Sequence, residues 1–115
     1  MGRKPSRGEI WMADFEPVTG HEQGGKRPCL VLSDNLFNHG PAKLVVVLPI
    51  TSKNREVPLR VPIAPPEGGL NVVSYIMPEM IRSISVERLI RCMGTAGPPQ
   101  MELVEAHVCA VLGLG

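Results

Sequence analysis

Twelve prolines and twelve glycines in a chain of 115 residues leave little room for long regular segments. Proline fixes its own φ and carries no backbone donor, and glycine favours turns, so both punctuate structure. Between them lie short apolar runs at residues 10–15, 29–32, 44–50, 59–63, 72–76 and 81–84. Most are rich in β-branched residues and too short for ordinary helices. The pattern predicts a mainly β chain, an antiparallel sheet curling into a small barrel or sandwich. Val45, Val46, Val47 and Leu48 show no polar alternation, which predicts a central strand buried on both faces. Pro58, Pro62, Pro65 and Pro66 bracket or interrupt the fourth run, which belongs on a sheet edge because proline cannot donate to a ladder.

Only residues 98–112 carry the signals of a full α-helix. Pro98 and Pro99 suit its first turn, Glu102 and Glu105 fall where the macrodipole favours acids, and Gly113 can end it. Met101, Val104, Val108 and Val111 or Leu112 form one apolar stripe. Residues 85–88 read as one helical turn capped by Ser85. No repeat or linker divides the chain, so residues 1–115 are expected to form a single β-rich α+β domain with a C-terminal helix.

Composition bounds the chemistry. Aromatics are 3% of the residues, so the core must be built from Val, Leu, Ile and Met. The formal net charge of +1 excludes binding of nucleic acid through a whole-protein field, and leaves room for a local basic cluster. Cys29, Cys92 and Cys109 show no C-x-x-C spacing, and His21, His39 and His107 supply no metal-ligand pattern. Buried free thiols in a reducing compartment are expected, with no metal and no cofactor. The basic start is not followed by an apolar run, and no segment approaches a membrane span, which points to the cytoplasm.

Three stretches do not read as plain scaffolding. Residues 16–28 exceed what a hairpin needs and gather His21, Glu22, Gln23, Lys26 and Arg27 beside Gly20, Gly24 and Gly25. Pro28 biases Arg27 toward extended geometry, so Arg27 is held at a strand mouth. In residues 49–55 the most apolar strand ends in Thr51 and Ser52, followed by Lys53, Asn54 and Arg55; taken alone this reads first as an ordinary polar turn after a buried strand, and otherwise as hydroxyls and bases able to bond phosphate oxygens. In residues 79–85, Arg82 and Ser83 alternate with Ile81 and Ile84. There Arg82 is equally suited to a ligand groove or to an ion pair with Glu9 or Asp14.

Taken in order, Arg7-Gly8-Glu9-Ile10-Trp11, the loop Gly20 to Gly25, Lys26-Arg27-Pro28, Pro49-Ile50-Thr51-Ser52, Ile81-Arg82-Ser83-Ile84 and the closing helix resemble the MazF/PemK toxin family over almost the whole chain. The resemblance implies an SH3-like small antiparallel barrel that forms a homodimer. It implies a sequence-specific, metal-independent endoribonuclease acting on single-stranded RNA, neutralised by a cognate antitoxin whose flexible acidic tail occupies the RNA groove. Arg27 and Thr51 match the positions assigned to catalysis in that family. Glu22, Gln23, Ser52 and Glu79 match groove-lining positions, and His21 matches a residue implicated in the PemK-like branch. That branch uses an arginine two positions before its acidic residue, a place held here by Met77. The departure favours a mechanism centred on Arg27 and Thr51.

Metal-free cleavage would use the substrate's own 2′-OH, leaving a 2′,3′-cyclic phosphate and a 5′-OH. Arg27 suits phosphorane stabilisation and Thr51 suits orientation of a non-bridging oxygen. His21 and Glu22 are candidates for the base. Lys26, Lys53, Asn54, Arg82 and Ser83, with Gln23, Ser52 and Glu79, are the candidate RNA contacts. Two other readings stay open: a non-enzymatic gyrase-binding toxin of similar fold, and an RNA-binding module without catalysis.

Overall fold

The structure, a computed structural model, describes residues 3–17, 20–21 and 24–115. Seven strands form one curled antiparallel sheet: β1 (Glu9–Asp14), β2 (Lys26–Val31), β3 (Leu44–Thr51), β4 (Val61–Ile63), β5 (Ser74–Ile76), β6 (Arg82–Ser85) and β7 (Leu89–Thr95). Their spatial order is β4-β5-β3-β2-β1-β7, with β6 also paired to β3. A short helix α1 (Asn35–Asn38) follows β2, and α2 (Pro98–Leu112) closes the chain. This is the barrel-like, strand-rich fold with a C-terminal helix that the punctuated apolar runs predict.

β3 is the hinge of the architecture. It pairs with β2, β5 and β6, and its alternating side chains enter two separate cores. Leu48 and Ile50 join Ile10, Leu30, Val61, Ile63 and Ile76, against which α2 lays Val104 and Val108. Val45 and Val47 join Trp11, Phe15, Cys29, Val31 and Ile84. The unbroken apolar run thus reflects burial on both sides, with Val46 alone half-buried. β4 lies at the sheet edge, and Pro62 sits opposite Tyr75, as the proline pattern predicts.

Several expectations are corrected. The runs at 59–63 and 72–76 shorten to Val61–Ile63 and Ser74–Ile76, and Val72 and Val73 are exposed. β7 was not expected. It carries Arg91, Gly94 and Thr95 among half-buried Leu89, Cys92 and Met93 and exposed Ile90, and lacks a clean alternation, yet its pairing with β1 builds the sheet's other end. The helix bounds and the Gly113 cap hold, with Gly113 at φ 70°. Its first turn contains no acid, and Glu105 instead pairs with Arg7. Val111 and Leu112 of the stripe are exposed, while Ser85 caps the turn Val86–Arg88 as expected. Of the three thiols only Cys29 is buried; Cys92 is half-buried and Cys109 exposed.

One turn requires its glycines. Gly68 and Gly69 have φ 68° and 71°, and a Cβ on Gly69 would stand 2.1 Å from the Met93 carbonyl oxygen of β7. Gly94 faces them across the same contact, 2.7 Å from the Gly68 carbonyl carbon by the same measure. Backbone therefore packs on backbone, and the chain leaving this turn carries Leu70, Asn71 and Val72 to the wall of the candidate site.

Candidate nucleic-acid interface

β2 begins at Lys26 and β3 ends at Thr51, and these two strand ends open on one cavity of about 450 Å³. Lys26, Arg27, Thr51, Ser52 and Lys53 line it together with Arg55, Arg60 and Arg91. Lys26, Arg27, Lys53, Arg55, Arg60 and Arg91 are six of the chain's twelve Lys and Arg residues, and among the described residues no acidic side chain lines the wall. A nearly neutral chain thus concentrates half of its positive charge on one concave surface. That is the local cluster required of a nucleic-acid reading.

Arg27 is the second residue of β2, opposite Ala13 of β1. Its Nε donates to the Gly24 carbonyl at 2.9 Å, which ties one edge of the guanidinium to that loop. Partial burial lowers its pKa from the ordinary value, but a guanidinium with so high a starting value stays charged at neutral pH. Thr51 is the last residue of β3 and is nearly buried. Its Oγ1 accepts from the Lys53 amide at 3.2 Å, which fixes the rotamer and leaves the hydroxyl proton available as a donor. Arg27 offers charge and Thr51 a hydroxyl to the same volume, an arrangement suited to a phosphodiester.

The other expected residues lie elsewhere. Glu22 and Gln23 fall outside the described residues. His21 sits exposed in a turn, and Asn54 is exposed with its Oδ1 accepting from the Glu56 amide at 3.1 Å. Ser83 is exposed on β6 opposite Val46. Arg82 pairs with neither Glu9 nor Asp14. Its guanidinium lies 5.5 Å from the Phe15 ring centroid, and its Nη1 is buried with no partner among the described residues. Glu9 is instead buried by Arg3, the Ser6 amide and the Trp11 indole, whose Nε1 donates at 3.0 Å. Glu79 is not on the cavity wall; it accepts from Arg60 Nε at 2.8 Å.

Residues 6–112 match the family described as the PemK-like, MazF-like toxin of type II toxin–antitoxin systems. The chain belongs to the PemK/MazF toxin family. Endoribonuclease MazF9 of Mycobacterium tuberculosis is 35% identical over 100 residues, covering 83% of this chain and 85% of its own. Endoribonuclease EndoA of Bacillus subtilis is 36% identical over 84 residues, covering 72% of each. The crystal structure of MazF from Deinococcus radiodurans is similar with a TM-score of 0.84 at 29% identity, covering 97% of this chain and 99% of that one.

For a PemK/MazF chain the expected pair Arg27 and Thr51 is brought together, but two of the six basic wall residues, Arg60 and Arg91, were missed. Arg55 stands inside a stretch already singled out. Arg60 follows Pro58 in an irregular stretch, and Arg91 lies in an unforeseen strand, so neither carried a local signal. Among the described residues, a further cavity of about 640 Å³ along β7, with Trp11, His39 and Lys43, shares only Arg91 with the first and holds none of the expected catalytic side chains. Among the described residues no group of three or more His, Cys, Asp or Glu side chains is placed to hold a metal ion, and no helix is long and apolar enough to cross a membrane.

Proposed function

We propose that this chain is a toxin endoribonuclease that cleaves single-stranded RNA, including mRNA, at specific sequences without a metal ion. The observation that carries the proposal is the meeting of Arg27 and Thr51 in one cavity walled by six basic side chains. Membership in a toxin–antitoxin family and likeness to relatives named endoribonucleases support it.

In the proposed reaction the substrate's 2′-oxygen attacks the adjacent phosphorus, the P–O5′ bond breaks, and the products are a 2′,3′-cyclic phosphate and a 5′-OH. The 2′-OH proton goes to a base, for which His21 and Glu22 are the candidates, and the leaving O5′ takes up a proton. Charge gathers on the non-bridging oxygens as the phosphorane forms. Arg27 meets that charge with a fixed fork of donors, in a site where partial burial strengthens each interaction. Thr51 donates one hydrogen bond and holds the phosphate in line, its rotamer set by the Lys53 amide. Its unactivated hydroxyl is unsuited to be the base. Lys26, Ser52, Lys53, Arg55 and Arg91 hold the flanking backbone.

The same charge distribution fits an antitoxin whose acidic segment competes with RNA for the basic wall. A homodimer would bring two such walls together and enlarge the field that the net charge of +1 understates. Action on mRNA places the protein in the cytoplasm.

The test is incubation of antitoxin-free protein with a long single-stranded RNA in EDTA, with the 5′ ends of all fragments mapped. Discrete cuts that vanish in Arg27→Ala are expected. Intact RNA from folded protein would refute the nuclease, and cuts that require added magnesium would refute the metal-free step.

A further inference from the structure

We propose that Arg60 is an additional RNA-phosphate ligand of this site, set in place by Glu79; the proposal rests on the nuclease reading above and assigns a residue to it. Arg60 lies on the cavity wall that also carries Arg27 and Thr51, yet only 10% of its side chain is exposed. Its Nε and Nη2 both address a single oxygen, Oε2 of Glu79, at 2.8 and 2.7 Å. Its other N–H groups have no partner among the described residues. A carboxylate that takes one edge of a guanidinium fixes the plane of the whole fork, and the remaining edge is then directed by the pair as a unit.

The backbone is arranged for the same end. Leu59, directly before Arg60, has φ 72°, a left-handed conformation that a bulky side chain adopts only when its surroundings impose it. The Leu59 carbonyl accepts a 2.7 Å hydrogen bond from Nδ1 of His107, which ties this bend to α2. Immediately after Arg60 the chain enters β4 and pairs with β5. Arg60 is thus held by a strained bend on one side, a strand on the other and a carboxylate at its tip. A solvent-facing surface arginine needs none of these.

Glu79 therefore acts through Arg60 and is a positioning residue, and this yields a test with a sign. An acid beside an anion site repels the anion, so simple electrostatics predicts that Glu79→Gln tightens RNA binding. If the carboxylate positions Arg60, the same substitution weakens it.

The probe is a short single-stranded RNA spanning a mapped cut, with a 2′-O-methyl group replacing the attacking hydroxyl. Its Kd is measured against salt concentration for wild type, Arg60→Gln, Arg60→Lys, Glu79→Gln and the double variant, with folding scored by circular dichroism. Arg60→Gln is expected to weaken binding about tenfold and to flatten the log–log salt slope by about 0.7. Arg60→Lys should recover the slope but remain at least about threefold weaker, since a point charge does not reproduce the fork. Glu79→Gln should weaken binding about threefold or more by releasing the fork, and should add nothing in the Arg60→Gln background. An unchanged slope in Arg60→Gln, full affinity in Arg60→Lys, or tighter binding in Glu79→Gln would each overturn the assignment. Should Arg60→Gln not fold, the charge-retaining Arg60→Lys still decides through its affinity. Wild-type protein that neither binds nor cuts RNA would defeat the nuclease reading itself; wild type that does both beside an unaffected Arg60→Gln would defeat this inference alone.

Discussion

Substituting Gly69 by alanine separates two costs that the glycine turn avoids. The first is conformational: φ at Gly69 is 71°, where an L-residue loses roughly 1–2 kcal/mol. The second is a collision, because the new methyl would stand 2.1 Å from the Met93 carbonyl oxygen. That oxygen belongs to β7 at a register shift against β1, so it can retreat only by moving a paired strand. Overpacking of this kind costs about 1–3 kcal/mol. Together they give a loss of roughly 2–5 kcal/mol against the 5–15 kcal/mol typical of a domain. Gly113 supplies the control. Its φ is 70°, yet nothing lies within 4 Å of an added Cβ, so Gly113→Ala bears only the conformational term of about 1 kcal/mol. The readout is urea denaturation followed by the fluorescence of Trp11, the only tryptophan, which is 5% exposed in the native state. With m near 1–3 kcal/mol/M, Gly69→Ala should lower the midpoint by about 1 M or more, and Gly113→Ala by about half that or less. Equal losses in the two variants would refute the claim that backbone contact, over and above φ, demands glycine in this turn. Because the turn leads into Leu70, Asn71 and Val72, RNA affinity should fall in Gly69→Ala and stay unchanged in Gly113→Ala.

Three further outcomes are expected. Arg27→Lys should lower kcat by about tenfold or more although it keeps the charge, because a point charge cannot reproduce the guanidinium fork; single-turnover RNA cleavage checks this. Glu9→Ala should destabilise by roughly 2–3 kcal/mol in thermal melts, since it strips the buried Trp11 indole and the Ser6 amide of their acceptor. Burial pushes the Cys29 thiol up to about 12 from an ordinary 9.0, so the native thiol resists alkylation at pH 8 while exposed Cys109 labels promptly. A raised acid pKa favours the neutral form, so its contribution to stability is complete below about pH 9 and is lost as pH climbs toward 12; urea midpoints measured across that window check the sign.

The site explains how a chain of net charge +1 can address RNA. Charge counted over the chain averages away the wall, whereas an approaching phosphate senses the surface within a Debye length, about 8–10 Å at ordinary salt. Six basic residues around one cavity, only Arg60 of them ion-paired among the described residues, give that surface a positive local field. Removing any one flanking lysine is therefore expected to be a graded change, while under the proposed mechanism removing Arg27 or Thr51 takes away a donor to the reacting phosphate.

By itself the sequence determined whatever rests on neighbours along the chain. The prolines and glycines capped the length of each element, the unbroken apolar stretch in β3 announced burial on two faces, and Pro98 with Gly113 marked the ends of α2. Arg27 and Thr51 were legible as strand ends because each borders an apolar run, and as a pair only through the resemblance of the ordered motifs to the MazF/PemK family. Tertiary structure alone decided which charges face each other. Arg60 and Glu79 are nineteen residues apart and meet because β4 pairs with β5, and Arg91 reaches the cavity because β7 pairs with β1. Arg82 turned from a candidate contact into a cation over Phe15, and Glu79 from a groove residue into the support of an arginine. Local propensity acts over a few residues, while a partner for a charge is chosen by strand pairing across the whole chain. That physical difference is why the two strand mouths and the bases beside them could be named in advance and Arg60 and Arg91 could not.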